Sequence, residues 1–240
     1  MSQCALCLEE RMLVESHLIP EYLFRPLYDS KHQFERLTAN PNFDHSMNKG
    51  IRYPLLCAKC DGGINTAYEQ PFLKFWMEGQ ALNRTLCNQA IKDLDYAKFK
   101  LFHLSILWRF AACDKRYADH FDLGQHEEPL RLMVKNGDAG AFNSYPMFPQ
   151  MLLKQDGSIA YDQICIPTRN FNGRYLGARM VYAGCQWSFI ISPNVVLEDK
   201  DAVVSAAWPH PFGQILVTSI PLEECRAHCD LEQVRKRFLS

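Results

Sequence analysis

Cys4-Ala5-Leu6-Cys7, close to the start of the chain, and Leu55-Leu56-Cys57-Ala58-Lys59-Cys60, well downstream, carry the reading of the fold. At this cysteine frequency about 0.4 C-x-x-C pairs are expected by chance, and the chain has two. Two intervening residues let both sulfurs of a tight turn face one ion about 2.3 Å away, and two such turns complete a tetrahedron. Cys4, Cys7, Cys57 and Cys60 are therefore expected to share a structural zinc. A thioredoxin-like redox pair is the competing reading of either motif alone. It calls for a strand before the pair and a helix after it in a βαβ unit, and neither pair has that setting clearly.

Working outward, Arg11 to Glu15 looks extended, and Pro20 biases Ile19 away from helix, which leaves His17 at the end of a strand or in its turn. Glu21 to Leu27 reads as a short helix, and residues 28–50 as a polar loop beside the site. After the second cysteine pair, Asp61-Gly62-Gly63 is expected to delay helix formation until Thr66-x-x-Glu69, which has the form of a capping box. That helix carries Tyr68, Phe72, Phe75 and Trp76 at the spacing of a core-facing stripe. Tyr96 to Cys113 is apolar nearly all round and predicts a central helix; His126 to Val134 predicts a shorter one.

From Tyr145 the texture changes to short extended runs: Met147–Leu153, Ser158–Ile166, Tyr175–Ala183, Trp187–Ile191 and Gln214–Ile220, with turn signals at Asp156-Gly157 and Asn172-Gly173. Tyr182, Trp187 and Phe189 fit a sheet core, and Arg169, Arg174 and Arg179 fit an ordinary surface. Pro221 is read as opening a terminal helix through Phe238. The expected architecture is α+β: a zinc finger over 1–70, a helical segment over 71–140, and an antiparallel β-rich region with a C-terminal helix over 141–240.

The 240 residues are 48% hydrophobic, with 26 Lys+Arg against 27 Asp+Glu, which excludes disorder, collagen-like repeats and a small disulfide scaffold. Charge is evenly spread: residues 1–70 carry 7 basic and 9 acidic groups, 71–140 carry 10 and 9, and 141–240 carry 9 and 9. With no polycationic segment, any nucleic-acid contact has to be local or supplied by a partner. The first residues lack an export pattern, so a cytoplasmic protein is expected, and Lys98, Lys100, His103 and Arg109 interrupt the longest apolar run, so no membrane span is expected.

A knuckle, a strand ending in Ser16-His17-Leu18-Ile19-Pro20, a loop, and Leu55-Leu56-Cys57-x-x-Cys60 together resemble the zinc-containing branch of the HNH, or His-Me finger, endonucleases. The resemblance covers roughly residues 1–70. It implies a treble-clef zinc site stapling a β-hairpin to a helix, and a metal-dependent hydrolase that cleaves nucleic-acid phosphodiesters. The segment Leu101 to Arg109 is similar to one in uncharacterised bacterial proteins with the same finger, which implies a setting in bacterial defence.

Under this resemblance His17 is the general base, because an imidazole with a pKa near 6.5 takes a proton from water near neutral pH. A Mg²⁺ or Mn²⁺ ion would need oxygen or imidazole ligands. Asp61 stands where the family often has its final histidine, and fits either helix-start capping or metal binding. Glu15 shares a strand face with His17 under two-residue alternation and fits either solvent exposure or a contact with the ring or ion.

Three positions depart from the family pattern. Ser16 replaces the usual metal-holding Asp or His, Arg52 lies where an asparagine is common, with Asn48 nearby, and Asp61 replaces the histidine. These departures, with the neutral charge balance, keep a second class open: a non-catalytic zinc-stapled module that binds nucleic acid or a partner protein. His32 and His45 read as exposed loop residues, His103 as buried and hydrogen-bonded, and His210 as a loop residue.

Overall fold

The structure, a computed structural model, describes residues 1–35, 46–115, 121–171, 175–196 and 207–225. It begins with a knuckle. The Cys4 N–H donates to the Glu9 carbonyl at 3.0 Å and the Leu8 N–H to the Cys4 carbonyl at 2.8 Å, with Leu8 in the left-handed region at φ 63° to close the turn. Strand β1 (Leu13–His17) then pairs antiparallel with β2 (Arg52–Cys57), placing Leu13 opposite Cys57 and His17 opposite Arg52. Between them, Glu21–Leu23 and Arg25–Leu27 are 3-10 turns where one short helix was expected.

Strand β2 runs directly into α1 (Ala58–Ile64), and Cys60 already lies in the first helical turn. The expected delay over Asp61-Gly62-Gly63 does not occur. Both glycines are exposed, with open space where a Cβ would stand, so each costs the helix about 1 kcal/mol instead of breaking it. Burial of Ile64, Tyr68, Phe72 and Trp76 on one side outweighs that cost. The Thr66 capping box is not formed, because Thr66 is already inside the helical path. Past Ile64 that path widens into π-helical turns, Asn65–Glu69 and Leu73–Glu78, on either side of Gln70–Phe72. Pro71 sits between them, and a residue with no N–H to donate accounts for the wider ladder.

The central helix α2 (Tyr96–Ala112) is capped by the Asp95 side chain, which accepts from the Lys98 N–H at 3.1 Å. Every residue from Phe99 to Ala111 is buried, including Lys100, His103 and Arg109. Lys100 Nζ donates to the Ala141 carbonyl at 2.7 Å and the Tyr96 hydroxyl at 3.0 Å, and burial pushes its pKa down to about 7. Against α2 packs α3 (Glu127–Asn136), ended by Gly137 at φ 71°, the left-handed turn that glycine adopts without a Cβ penalty.

Six strands make one sheet: β3 (Asn88–Ile91), β4 (Met147–Leu153), β5 (Cys165–Phe171), β6 (Leu176–Tyr182), β7 (Cys185–Ile191) and β8 (Ile215–Pro221), ordered β3-β8-β4-β7-β6-β5. The sheet is mixed where an antiparallel one was expected, because β8 runs parallel to β4 with Thr218 opposite Gln150. The strand expected from Ser158 starts only at Cys165. Before it, the Asp156 carboxylate holds the Ser158 N–H and hydroxyl at 2.8 and 2.6 Å in a turn, and Ile159 makes a single bridge to Leu153. At the far end Leu222–Glu224 form one 3-10 turn and Cys225 is extended, so Pro221 closes a strand and does not open a helix. The rest of the expected terminal helix, the Asn172-Gly173 turn, Arg174 and His45 lie outside the described residues.

Finger, helices and sheet share one core. Phe72 stacks on Phe102 with ring centroids 3.9 Å apart, His103 lies 3.9 Å from Trp187, and Trp76 donates its indole N–H to the Ala183 carbonyl at 3.2 Å. His103 is buried as expected, its Nδ1 2.6 Å from the Tyr182 hydroxyl. No helix among the described residues is long and apolar enough to cross a membrane.

Candidate metal centre and histidine site

The sulfur atoms of Cys4, Cys7, Cys57 and Cys60 all lie within 4.8 Å of one another. A tetrahedron with metal–sulfur bonds of about 2.3 Å has edges of roughly 3.8 Å, so these four thiols can hold a metal ion such as zinc. Backbone geometry brings them together. The Ala5 N–H donates to the Leu55 carbonyl at 3.1 Å, joining the knuckle to β2, and the Cys57 N–H donates to Cys4 Sγ at 3.3 Å. Burial raises the Cys4 pKa, but the N–H groups of Cys7, Cys57 and Leu6 favour its thiolate and bring the balance down to about 7. A metal ligand has to be the thiolate, so this is the sense the chemistry requires.

The second cysteine pair follows a strand and opens a helix, but that strand lies in a two-stranded antiparallel sheet and not in the βαβ unit a redox pair calls for. Convergence of all four sulfurs also favours the metal reading over a redox pair, whose sulfurs would not need the distant Cys4 and Cys7.

His17 ends β1 on the face opposite Ser16, as strand alternation dictates. Ser16 is fully buried, its hydroxyl directed back to the Val14 carbonyl at 3.4 Å. The His17 ring is about a quarter exposed, and its Nε2 lies 3.0 Å from Glu21 Oε2. Glu21 also accepts from the Tyr28 hydroxyl and from the Gly50 N–H at 3.1 Å, while Arg52 Nη2 stands 3.7 Å away. Burial works to raise the Glu21 pKa, but Tyr28 and Gly50, with His17 and Arg52, outweigh it and hold the group below the usual carboxylate range. Gly50 is required here, because a Cβ would fall 2.7 Å from the Phe24 ring and 3.0 Å from Glu21 Oε2.

A carboxylate only accepts, so a neutral His17 carries its proton on Nε2 and leaves Nδ1 as a lone pair with no partner among the described residues. The His17 pKa is lowered by burial first and the Arg52 charge second, with Glu21 opposing both. Burial and Arg52 thus favour the neutral ring.

Asp61 is half-buried in the first turn of α1, and Glu15 is exposed on β1 opposite Pro54. Among the described residues the four cysteines are the only group of three or more His, Cys, Asp or Glu side chains with ligand atoms converging on one point. His17, Asp61 and Glu15 are thus not brought into a shared ligand cluster for Mg²⁺ or Mn²⁺. Glu21 was missed in the sequence; its signal is the four-residue step from His17 across Pro20.

Two buried arginines from the helical body grip this finger. Arg109, 2% exposed at its side chain, donates through Nη1 both to the His17 carbonyl at 2.7 Å and to Glu69 Oε1 at 2.8 Å. Arg131 donates through Nη1 to the Leu6 carbonyl at 2.5 Å, inside the knuckle, and is held by Glu128. Glu69, expected as a cap, serves as the partner of Arg109. No family model, no curated protein and no solved structure matches this chain.

Proposed function

We propose that the chain is an HNH-like nuclease whose four cysteines bind one structural zinc in a treble-clef finger, and whose His17 is the general base for phosphodiester hydrolysis. The observation that carries this reading is the His17–Glu21 pair at 3.0 Å on the same strand pair that carries Cys57 of the four converging sulfurs. Glu21 fixes the ring and its tautomer and leaves the lone pair on Nδ1, as a carboxylate does for a histidine base. Nδ1 takes the proton from a water attacking phosphorus in line as the bond from phosphorus to the 3′ oxygen breaks; that oxygen leaves and takes a proton from solvent, and Glu21 stabilises the imidazolium that results. Asp61 and Glu15 supply no ligand cluster with His17 among the described residues, so no step is assigned to a second cation.

His17→Ala is expected to lower the rate of oligonucleotide cleavage by about 10²- to 10⁴-fold, the range for a positioned acid–base group, without changing the melting temperature. Assays on single-stranded DNA, duplex DNA and RNA, with and without Mg²⁺ or Mn²⁺, check it. Equal rates for variant and wild type refute the assignment, and no cleavage of any substrate by wild type transfers the weight to the zinc-stapled binding module.

A pH profile tests Glu21 separately. The base works when neutral, so kcat/KM should rise with pH through a lowered His17 pKa and level off above it. Because the Glu21 charge opposes that lowering, Glu21→Gln is expected to move the acid limb to still lower pH while reducing the plateau. An unmoved limb contradicts the pairing.

A further inference from the structure

The Tyr28 ring that donates its hydroxyl to Glu21 is also covered on one face by His32, with centroids 3.9 Å apart and planes 14° from parallel. His32 is exposed, yet it is held in place by backbone geometry. Asp29 accepts the N–H groups of Lys31 and Gln33 at 2.8 and 2.9 Å, its carbonyl accepts from the His32 N–H at 3.0 Å, and His32 takes the left-handed φ of 59° that this turn imposes. Phe34 packs edge-on to Tyr28 at 5.6 Å and supports the stack. An exposed imidazole is thereby presented flat, one phenol away from the carboxylate that holds His17.

Arg52 lies across from His17 in the β1–β2 pair, about a third exposed. At 3.7 Å from Glu21 its guanidinium is too far for a proper hydrogen bond, and its Nε–H is buried with no hydrogen-bond partner among the described residues. Glu21 is satisfied by Tyr28, Gly50 and His17, so the Nη groups of Arg52, on a side chain about a third exposed, can meet an anion. A planar guanidinium matches two oxygens of a phosphodiester. Lys31, in the His32 turn, and Lys49, next to Gly50, are exposed and add positive charge to the segments that frame the site.

We infer that Arg52 and the His32–Tyr28 stack form a nucleotide subsite beside His17, Arg52 taking the phosphodiester and His32 the adjoining base, so that the substrate is single-stranded nucleic acid. A base within a duplex has both faces stacked already, whereas a free strand offers one to an aromatic ring. This inference rests on the nuclease reading for its purpose, though the binding it asserts is measurable without cleavage.

The test is fluorescence anisotropy of labelled twelve-nucleotide oligo(dT) and oligo(U), and of a labelled duplex, with full-length protein and no added divalent ion. Single strands should bind more tightly than duplex. His32→Ala should weaken single-strand binding roughly 5- to 150-fold, the range for loss of one stacked base, and His32→Phe should restore it. Arg52→Gln should weaken it at least tenfold, with Arg52→Lys in between, and all four variants should melt as wild type does.

Preference for duplex, no binding of either strand, or wild-type affinity in both His32→Ala and Arg52→Gln overturns the subsite. If those two variants bind normally while His17→Ala abolishes cleavage, the subsite falls and the nuclease reading stands. If wild type cleaves nothing but the variants lose binding as stated, the nuclease reading falls and the subsite stands.

Discussion

Cys57→Ser, or exposure of the wild type to a strong chelator, is expected to unfold the amino-terminal finger and lower the melting temperature of the whole chain. Structural zinc sites contribute apparent folding energies of about 10–16 kcal/mol in small fingers at neutral pH. That is comparable to the whole stability of an ordinary domain, commonly about 5–15 kcal/mol. The knuckle and the β1–β2 pair are too small to survive such a loss on their own backbone bonds. The effect should spread, because Ile64, Tyr68, Phe72 and Trp76 carry the finger helix into the same core as α2 and the sheet. Limited proteolysis and near-ultraviolet circular dichroism of the apo protein check this; cleavage should fall within residues 1–70 first. A chelated protein with unchanged melting and protease resistance removes the metal from the account.

Arg109→Met carries the second large effect, a loss of about 3–5 kcal/mol of stability, the usual result of removing one member of a buried ion pair. The variant strands the Glu69 carboxylate, whose side chain is only 12% exposed, and leaves the His17 carbonyl without its donor. Adding Glu69→Gln should recover part of the loss, since the second change removes the unpaired charge. A urea-denaturation double-mutant cycle on zinc-loaded protein measures both effects. A loss under about 1 kcal/mol for Arg109→Met would show that the pair is not buried as described. If the stability is instead lost and fully regained in the double variant while cleavage is not, Arg109 acts on the position of His17 through its carbonyl.

The parts of this site that were legible in the sequence are those set by short-range rules. A C-x-x-C pair converges within one turn, so Cys4, Cys7, Cys57 and Cys60 could be named without knowing the fold, and Pro20 ended the strand that carries His17. Glu21 followed four positions later and still escaped, because a bend over Leu18, Ile19 and Pro20, not an α-helix, brings the two together. Arg109 is a more instructive case. In sequence it only interrupted an apolar run; its role depends on a carbonyl and a carboxylate contributed by β1 and the π-helical turn, both remote along the chain.

Errors at helix starts have one source. Gly62-Gly63 was read by local propensity, while two anchored cysteines and a buried face decided the outcome. The sheet was mixed for a comparable reason: Asn88–Ile91 has too few residues for alternation to register, and the parallel pairing of β8 with β4 joins segments far apart in the chain.

X-ray absorption at the zinc edge of purified, reduced protein examines the central claim most directly, because it reads the ligands themselves. One zinc per chain with four sulfur neighbours at about 2.3 Å is expected, and that signal should be lost in Cys57→Ser. A shell containing nitrogen or oxygen, or protein that carries no zinc when prepared without chelator, would contradict it.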